Sequence, residues 1–99
     1  MSHALDPQET ELEVEVRRKG KTVVVAPQGE VTVFTSPTLR ARLQEVLAEA
    51  PRRVVLDLGA VGYVDSSGVA TLVEALRRLR DQGGEMVLAR VGRRVRGVI

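Results

Sequence analysis

Hydrophobic positions change their period several times along this chain, and each change marks an element. Leu12, Val14 and Val16 alternate with Glu11, Glu13, Glu15 and Arg17, the period-two pattern of a half-exposed strand. A charged turn, Arg18-Lys19-Gly20-Lys21, separates it from the β-branched run Thr22 to Ala26, which stops at Pro27 and Gly29. The two runs predict an antiparallel hairpin whose second strand is the more buried. Ser36-Pro37 then predicts a helix start, with Ser36 as N-cap and Pro37 at the first helical position, where a missing N–H costs nothing. Leu39, Leu43, Val46 and Leu47 follow at helical spacing, and the helix must end before Pro51.

In Arg52 to Leu58 the apolar positions Val54, Val55, Leu56 and Leu58 are nearly continuous, which predicts a central strand covered on both faces. Gly59 to Val64 reads as a short connection with Val61 and Val64 facing inward. From Ser66 the period returns to helical, with Val69, Leu72, Val73, Leu76 and Leu79 tracing one apolar face. Gly83-Gly84 ends that helix, one glycine taking the left-handed position after the cap. Glu85 to Ala89 predicts another strand, and Val91, Val95 and Val98 the start of a last helix. Met1 to Thr10 is polar, carries Pro7, and reads as a flexible lead-in. Residues 11–99 are then one α/β domain. The order β-β-α-β-α-β-(α) predicts a mixed central sheet of about four strands with helices packed on it and right-handed crossovers.

Composition limits what such a domain can do. The 99 residues leave room for one modest core, and Phe34 and Tyr63 are the only aromatics, so that core is aliphatic. The absence of cysteine removes disulfides and thiolate chemistry and fits a reducing compartment. Charge says little, because the net value is only +2. The basic cluster Arg90, Arg93, Arg94 and Arg96 has no aromatic neighbour to stack bases and no surrounding nucleic-acid motif. It is expected to be a solvated helix face that does not bind nucleic acid specifically. No signal peptide and no apolar run of the roughly 18 residues of a membrane span is visible, so the expected location is cytoplasmic.

Enzyme chemistry finds few candidates. The one histidine, His3, lies in the lead-in, which leaves a serine nucleophile without a base. There is no phosphate-binding glycine loop, so no cofactor is expected. Asp57 and Asp65 make a weak metal pair and are expected to be structural. A phosphoacceptor role for Asp57 lacks the acidic pair and the late lysine it would need, since Lys19 and Lys21 both belong to the hairpin.

The stretch Asp65-Ser66-Ser67-Gly68 remains. It places hydroxyls where strand gives way to helix, and there free N–H groups and the helix dipole favour a negative group such as a phosphate on Ser66. Asp65 or Ser66 could equally serve only as the helix cap.

The run Val54-Val55-Leu56-Asp57-Leu58, then Val64-Asp65-Ser66-Ser67-Gly68-Val69, an apolar helix, and Gly83-Gly84-Glu85-Met86-Val87-Leu88 resembles a STAS domain, nearest to the bacterial anti-sigma factor antagonists. That resemblance implies a non-enzymatic protein acting by partner switching. Unphosphorylated, such a protein binds an anti-sigma factor serine kinase; phosphorylated on the first serine of the motif, here Ser66, it is released, and a phosphoserine phosphatase resets it. The resemblance also implies a partner surface on Glu30, Thr32, Thr35, Asp65, Ser67, Gly68 and Val69. At Gly68 a bulky side chain is expected to project into that surface. Thr32 departs from the family, which commonly has aspartate there. The alternatives are a non-switching STAS scaffold or transporter-accessory module, and a nucleotide- or lipid-binding module.

Overall fold

The computed structural model describes residues 11–99; the expected lead-in, Met1 to Thr10, lies outside them. The chain begins with the hairpin of β1 (Glu13–Lys19) and β2 (Thr22–Gln28), in which Lys19 faces Thr22 and Val16 faces Val25. Gly20 turns the chain with φ 62°, while Lys21 stays at negative φ, the arrangement of a type II′ turn. Two crossovers follow. Helix α1 (Ser36–Ala48) carries the chain to β3 (Arg53–Asp57), and helix α2 (Ser66–Asp81) carries it to β4 (Glu85–Ala89). Both new strands pair in parallel, so the sheet order β1-β2-β3-β4 repeats the chain order. A single turn, α3 (Arg93–Arg96), completes the mixed four-stranded, three-helix fold.

Right-handed crossovers that advance across a sheet in one direction lay their helices on the same face. Val23, Val25, Val54 and Leu56 therefore form one buried core with Leu39, Leu43, Val46 and Leu47 of α1 and Leu72, Ala75 and Leu79 of α2. The other face bears Val24 and Val55, which are only half-buried, and exposed Val87. β3 is central, as its sequence predicts, but it is fully buried on one face. Its unbroken Val and Leu run reflects β-propensity as much as burial.

Two local expectations are corrected. Ser36 is the buried first residue of α1 rather than its cap; Thr35 occupies the cap position, without a capping hydrogen bond. The turn starts earlier because the N–H groups of Thr35 and Ser36 both donate to the Thr32 carbonyl, at 3.1 and 2.7 Å. The buried stripe of α2 runs through Gly68, Thr71, Leu72, Ala75 and Leu79, so that small residues let α1 approach. Val73 is displaced to the exposed flank. The end of α2 agrees with expectation: Gly83 has φ 82°, its N–H donates to the Arg80 carbonyl, and the Gly84 N–H donates to that of Leu79, the Schellman pattern.

Candidate functional site

The connections that leave β2 and β3 run side by side beyond the sheet. The Gly29 N–H donates to Ala60 O at 3.1 Å, Val31 N–H to Tyr63 O at 2.9 Å, and Asp65 N–H to Val31 O at 3.0 Å. Val31 and Val64 form an isolated parallel bridge, both buried. This short zipper fixes where α2 begins.

Asp65 is the N-cap of α2, which settles which residue caps the helix. One carboxylate oxygen, Oδ1, accepts the Gly68 N–H at 3.0 Å; the other, Oδ2, accepts the Val33 N–H at 3.0 Å. A single side chain thus ties the start of α2 to the loop before α1. Ser66, the first helical residue, is exposed, and Ser67 is half-buried. Their N–H groups are among the first-turn donors that no intrahelical carbonyl can reach.

The residues of the implied partner surface divide by burial. Glu30 is exposed, while Thr32, Asp65, Ser67 and Val69 are half-buried. Thr35 is buried, and its hydroxyl is used within the loop, donating to Glu30 O at 2.7 Å and accepting the Thr32 N–H at 2.9 Å. Thr32 Oγ1 in turn accepts the Phe34 N–H at 3.1 Å. Gly68 is buried, and a Cβ there would lie 2.7 Å from Val64 Cγ1, 2.8 Å from Val31 Cγ1 and 2.9 Å from the Val31 carbonyl oxygen. The expectation that a side chain at Gly68 would project into the partner surface is therefore corrected. It would enter the core, because the tight turn set by Asp65 aims that position at the zipper.

Sequence reasoning passed over the exposed apolar residues of these loops. Val33 is 56% exposed, Phe34 53% and Tyr63 40%. The available signal was that both aromatics of the chain fall in connections instead of strands or helices.

Asp57, weighed above as a phosphoacceptor or metal ligand, is committed elsewhere. Its carboxylate accepts two hydrogen bonds from Arg90, both at 2.8 Å, and the Gly59 N–H at 3.0 Å. A side chain on Gly59 would occupy the Arg90 guanidinium, and Arg90 itself takes a left-handed φ of 53° to reach across. Arg90 thus lies at the end of β4 as an ion-pair partner, not on a solvated helix face. Its hydrogen bonds, followed by that of Gly59, hold the Asp57 carboxyl below the usual aspartate range. The unfolded chain titrates near the ordinary value, about 3.9. The pair therefore contributes its full stability above that pH and loses it as pH falls through the lower folded value. Asp57→Asn is expected to lower the melting temperature at neutral pH, with the gap to the parent closing below about pH 4. A gap that stays constant on acidification would rule out the charged pair as its source.

Among the described residues, no group of acidic or histidine side chains is placed to hold a metal ion, and no helix is long and apolar enough to cross a membrane. The family model of the STAS domain matches residues 13–99. The anti-sigma-B factor antagonist of Bacillus subtilis is 30% identical over 84 residues, which cover 85% of this chain and 76% of the relative. BtrV of Bordetella bronchiseptica, named as an anti-sigma factor antagonist, is 34% identical over 76 residues; the chain spans 77% of its own length there and 66% of the relative's. The crystal structure of an anti-sigma factor antagonist from Mycobacterium paratuberculosis superposes with a TM-score of 0.78 at 27% identity, covering 93% of this chain and 76% of that one. With its sheet order, its two crossovers on one face and its serine loop at the head of α2, this chain belongs to the STAS domain family, among relatives named as anti-sigma factor antagonists.

Proposed function

We propose that this protein is a cytoplasmic, non-enzymatic anti-sigma factor antagonist that switches partners through Ser66. The observation that carries this reading is the placement of an exposed hydroxyl at the first position of α2, beside a carboxylate that ties both loops together. An anti-sigma factor serine kinase would transfer the γ-phosphoryl group of ATP to Ser66 Oγ, releasing ADP and the hydroxyl proton. A phosphatase would return the serine and inorganic phosphate by hydrolysis. In the unmodified state the loops around Glu30, Thr32, Asp65, Ser67 and Val69 form the binding surface, while Thr35 and Gly68 hold its shape from beneath.

Incubation with ATP and a cognate anti-sigma factor kinase, read by mass spectrometry, is expected to add one phosphate, at Ser66. Ser66→Ala should abolish it and leave the fold intact. Because Asp65 supplies the cap, the stability cost should stay within about 0.5 kcal/mol, as for other surface substitutions. Modification at Ser67, or at neither serine, would overturn the reading in favour of a non-switching scaffold.

A further inference from the structure

Resting on that reading, we propose that Phe34 and Tyr63 are the anchors of the partner interface: they supply the affinity, and Ser66 beside them supplies the switch. In a chain whose core is aliphatic, its two aromatic side chains are 53% and 40% exposed, with Val33 at 56%. Large apolar groups left in water at this level, on two connections that hydrogen bonds hold side by side, mark a contact surface more often than a scattered surface residue does. Aromatic side chains are also the type most enriched among residues that dominate binding energy.

Their placement makes them usable. Tyr63 is fixed through its carbonyl, which accepts the Val31 N–H, and Val33 is fixed through its N–H on Asp65. The Phe34 N–H is satisfied by Thr32 Oγ1, and the Thr35 hydroxyl closes the same loop on Glu30. Every tether lies within or between the two connections, so the aromatics sit on an ordered base and little conformational freedom is lost on binding. The same carboxylate that holds Val33 caps the helix bearing Ser66, which puts anchor and switch on one rigid unit.

The chemistry of the surroundings selects the occupant. Exposed Glu30 and the Asp65 carboxylate lie on the same two connections as the aromatics, which disfavours an anionic membrane or a nucleic acid and suits a protein with an apolar pocket. The anti-sigma factor is that protein, since the surface is continuous with Ser66. Phosphate added at the edge of such a patch must give up its water to be buried against the partner and wets the pocket the aromatics enter.

The test titrates the full-length chain, by calorimetry, against each serine-kinase anti-sigma factor encoded in the same genome. Phe34→Ala and Tyr63→Ala are each expected to weaken binding about 30-fold or more, the range of dominant contact residues. Their melting temperatures should match the parent's, and Val73→Ala, on the exposed flank of α2, should bind as the parent does. Tyr63→Phe should keep most of the affinity, since the ring and not the hydroxyl is the anchor. Affinity within about threefold of the parent in both alanine variants would overturn the anchors and leave the switch standing. If the parent binds none of these kinases, the switching reading falls and the anchors with it. A parent dimer that Phe34→Ala dissolves would assign the patch to a second copy and overturn the proposal.

Discussion

Phosphorylation of Ser66 is expected to weaken binding to the anti-sigma factor by about 100-fold or more, which corresponds to about 2.7 kcal/mol. A phosphoserine adds between about 1.5 and 2 negative charges. In the free protein that charge is easily accommodated, because Ser66 is exposed and the positive end of α2 with its free first-turn N–H groups faces it. The melting temperature should hardly move. In the complex the same charge must lose water beside the Asp65 carboxylate, and like charges brought together in an interface cost several kcal/mol. The switch thus acts by making the bound state worse, with no change of fold. Ser66→Asp adds one charge and should give a smaller loss, about tenfold. Calorimetry on the purified phosphoprotein decides the matter; equal affinity of the modified and unmodified forms would exclude a phosphoserine switch.

Gly68→Leu is expected to destabilise the domain by about 3 kcal/mol or more, enough to prevent folding in a marginally stable protein. Both valines that a Cβ would strike are buried and β-branched, and the third contact is the Val31 carbonyl that receives the Asp65 N–H. None of the three can swing aside cheaply. The gain in helix propensity on replacing glycine is at most about 1 kcal/mol and does not offset the clash. Gly68→Ala should already cost about 1 to 2 kcal/mol by overpacking. Urea denaturation reads both, and full stability in Gly68→Leu would mean that the zipper between Val31 and Val64 is looser than its hydrogen bonds indicate. Loss of partner binding in these variants should accompany loss of stability, in contrast to the behaviour the sequence alone suggests.

Periodicity made most of the elements legible, because alternation in β1 and helical spacing in α1 are local consequences of which side each residue buries. Gly83-Gly84 was legible for the same reason: a helix end with paired glycines has few other uses. What escaped was set by contacts far apart in the chain. Whether Val55 faces a helix or water depends on the handedness of two crossovers, which the run Val54 to Leu58 does not encode. The cap of α1 shifted because the Thr35 hydroxyl prefers Glu30 O and Thr32 N–H, a loop bond that competes with capping. Arg90 read as part of a basic cluster until its partner, 33 residues earlier, was in place. Ser66 and Asp65 were identifiable by motif, yet the double role of Asp65 depends on Val33, half a sheet away in sequence. Phe34 and Tyr63 carry no pattern at all, since exposure of a loop side chain is a property of the assembled surface.

The polarity of the sheet also governs how the molecule should be handled. Leu12, where the chain enters β1, touches the Gly29 corner, and Ile99 lines one groove with Val69 and Leu72 near the head of α2, so both ends of the described chain emerge on the side of the serine loop. A fluorophore or fusion partner joined directly at Leu12 or Ile99 would therefore lie at the pole of the surface whose binding it is meant to report. The hairpin turn at Gly20 sits at the far pole, where a side chain would meet open space. An internal tag there, with the left-handed glycine kept, orients the whole protein on a sensor chip with Ser66 pointing away from the support.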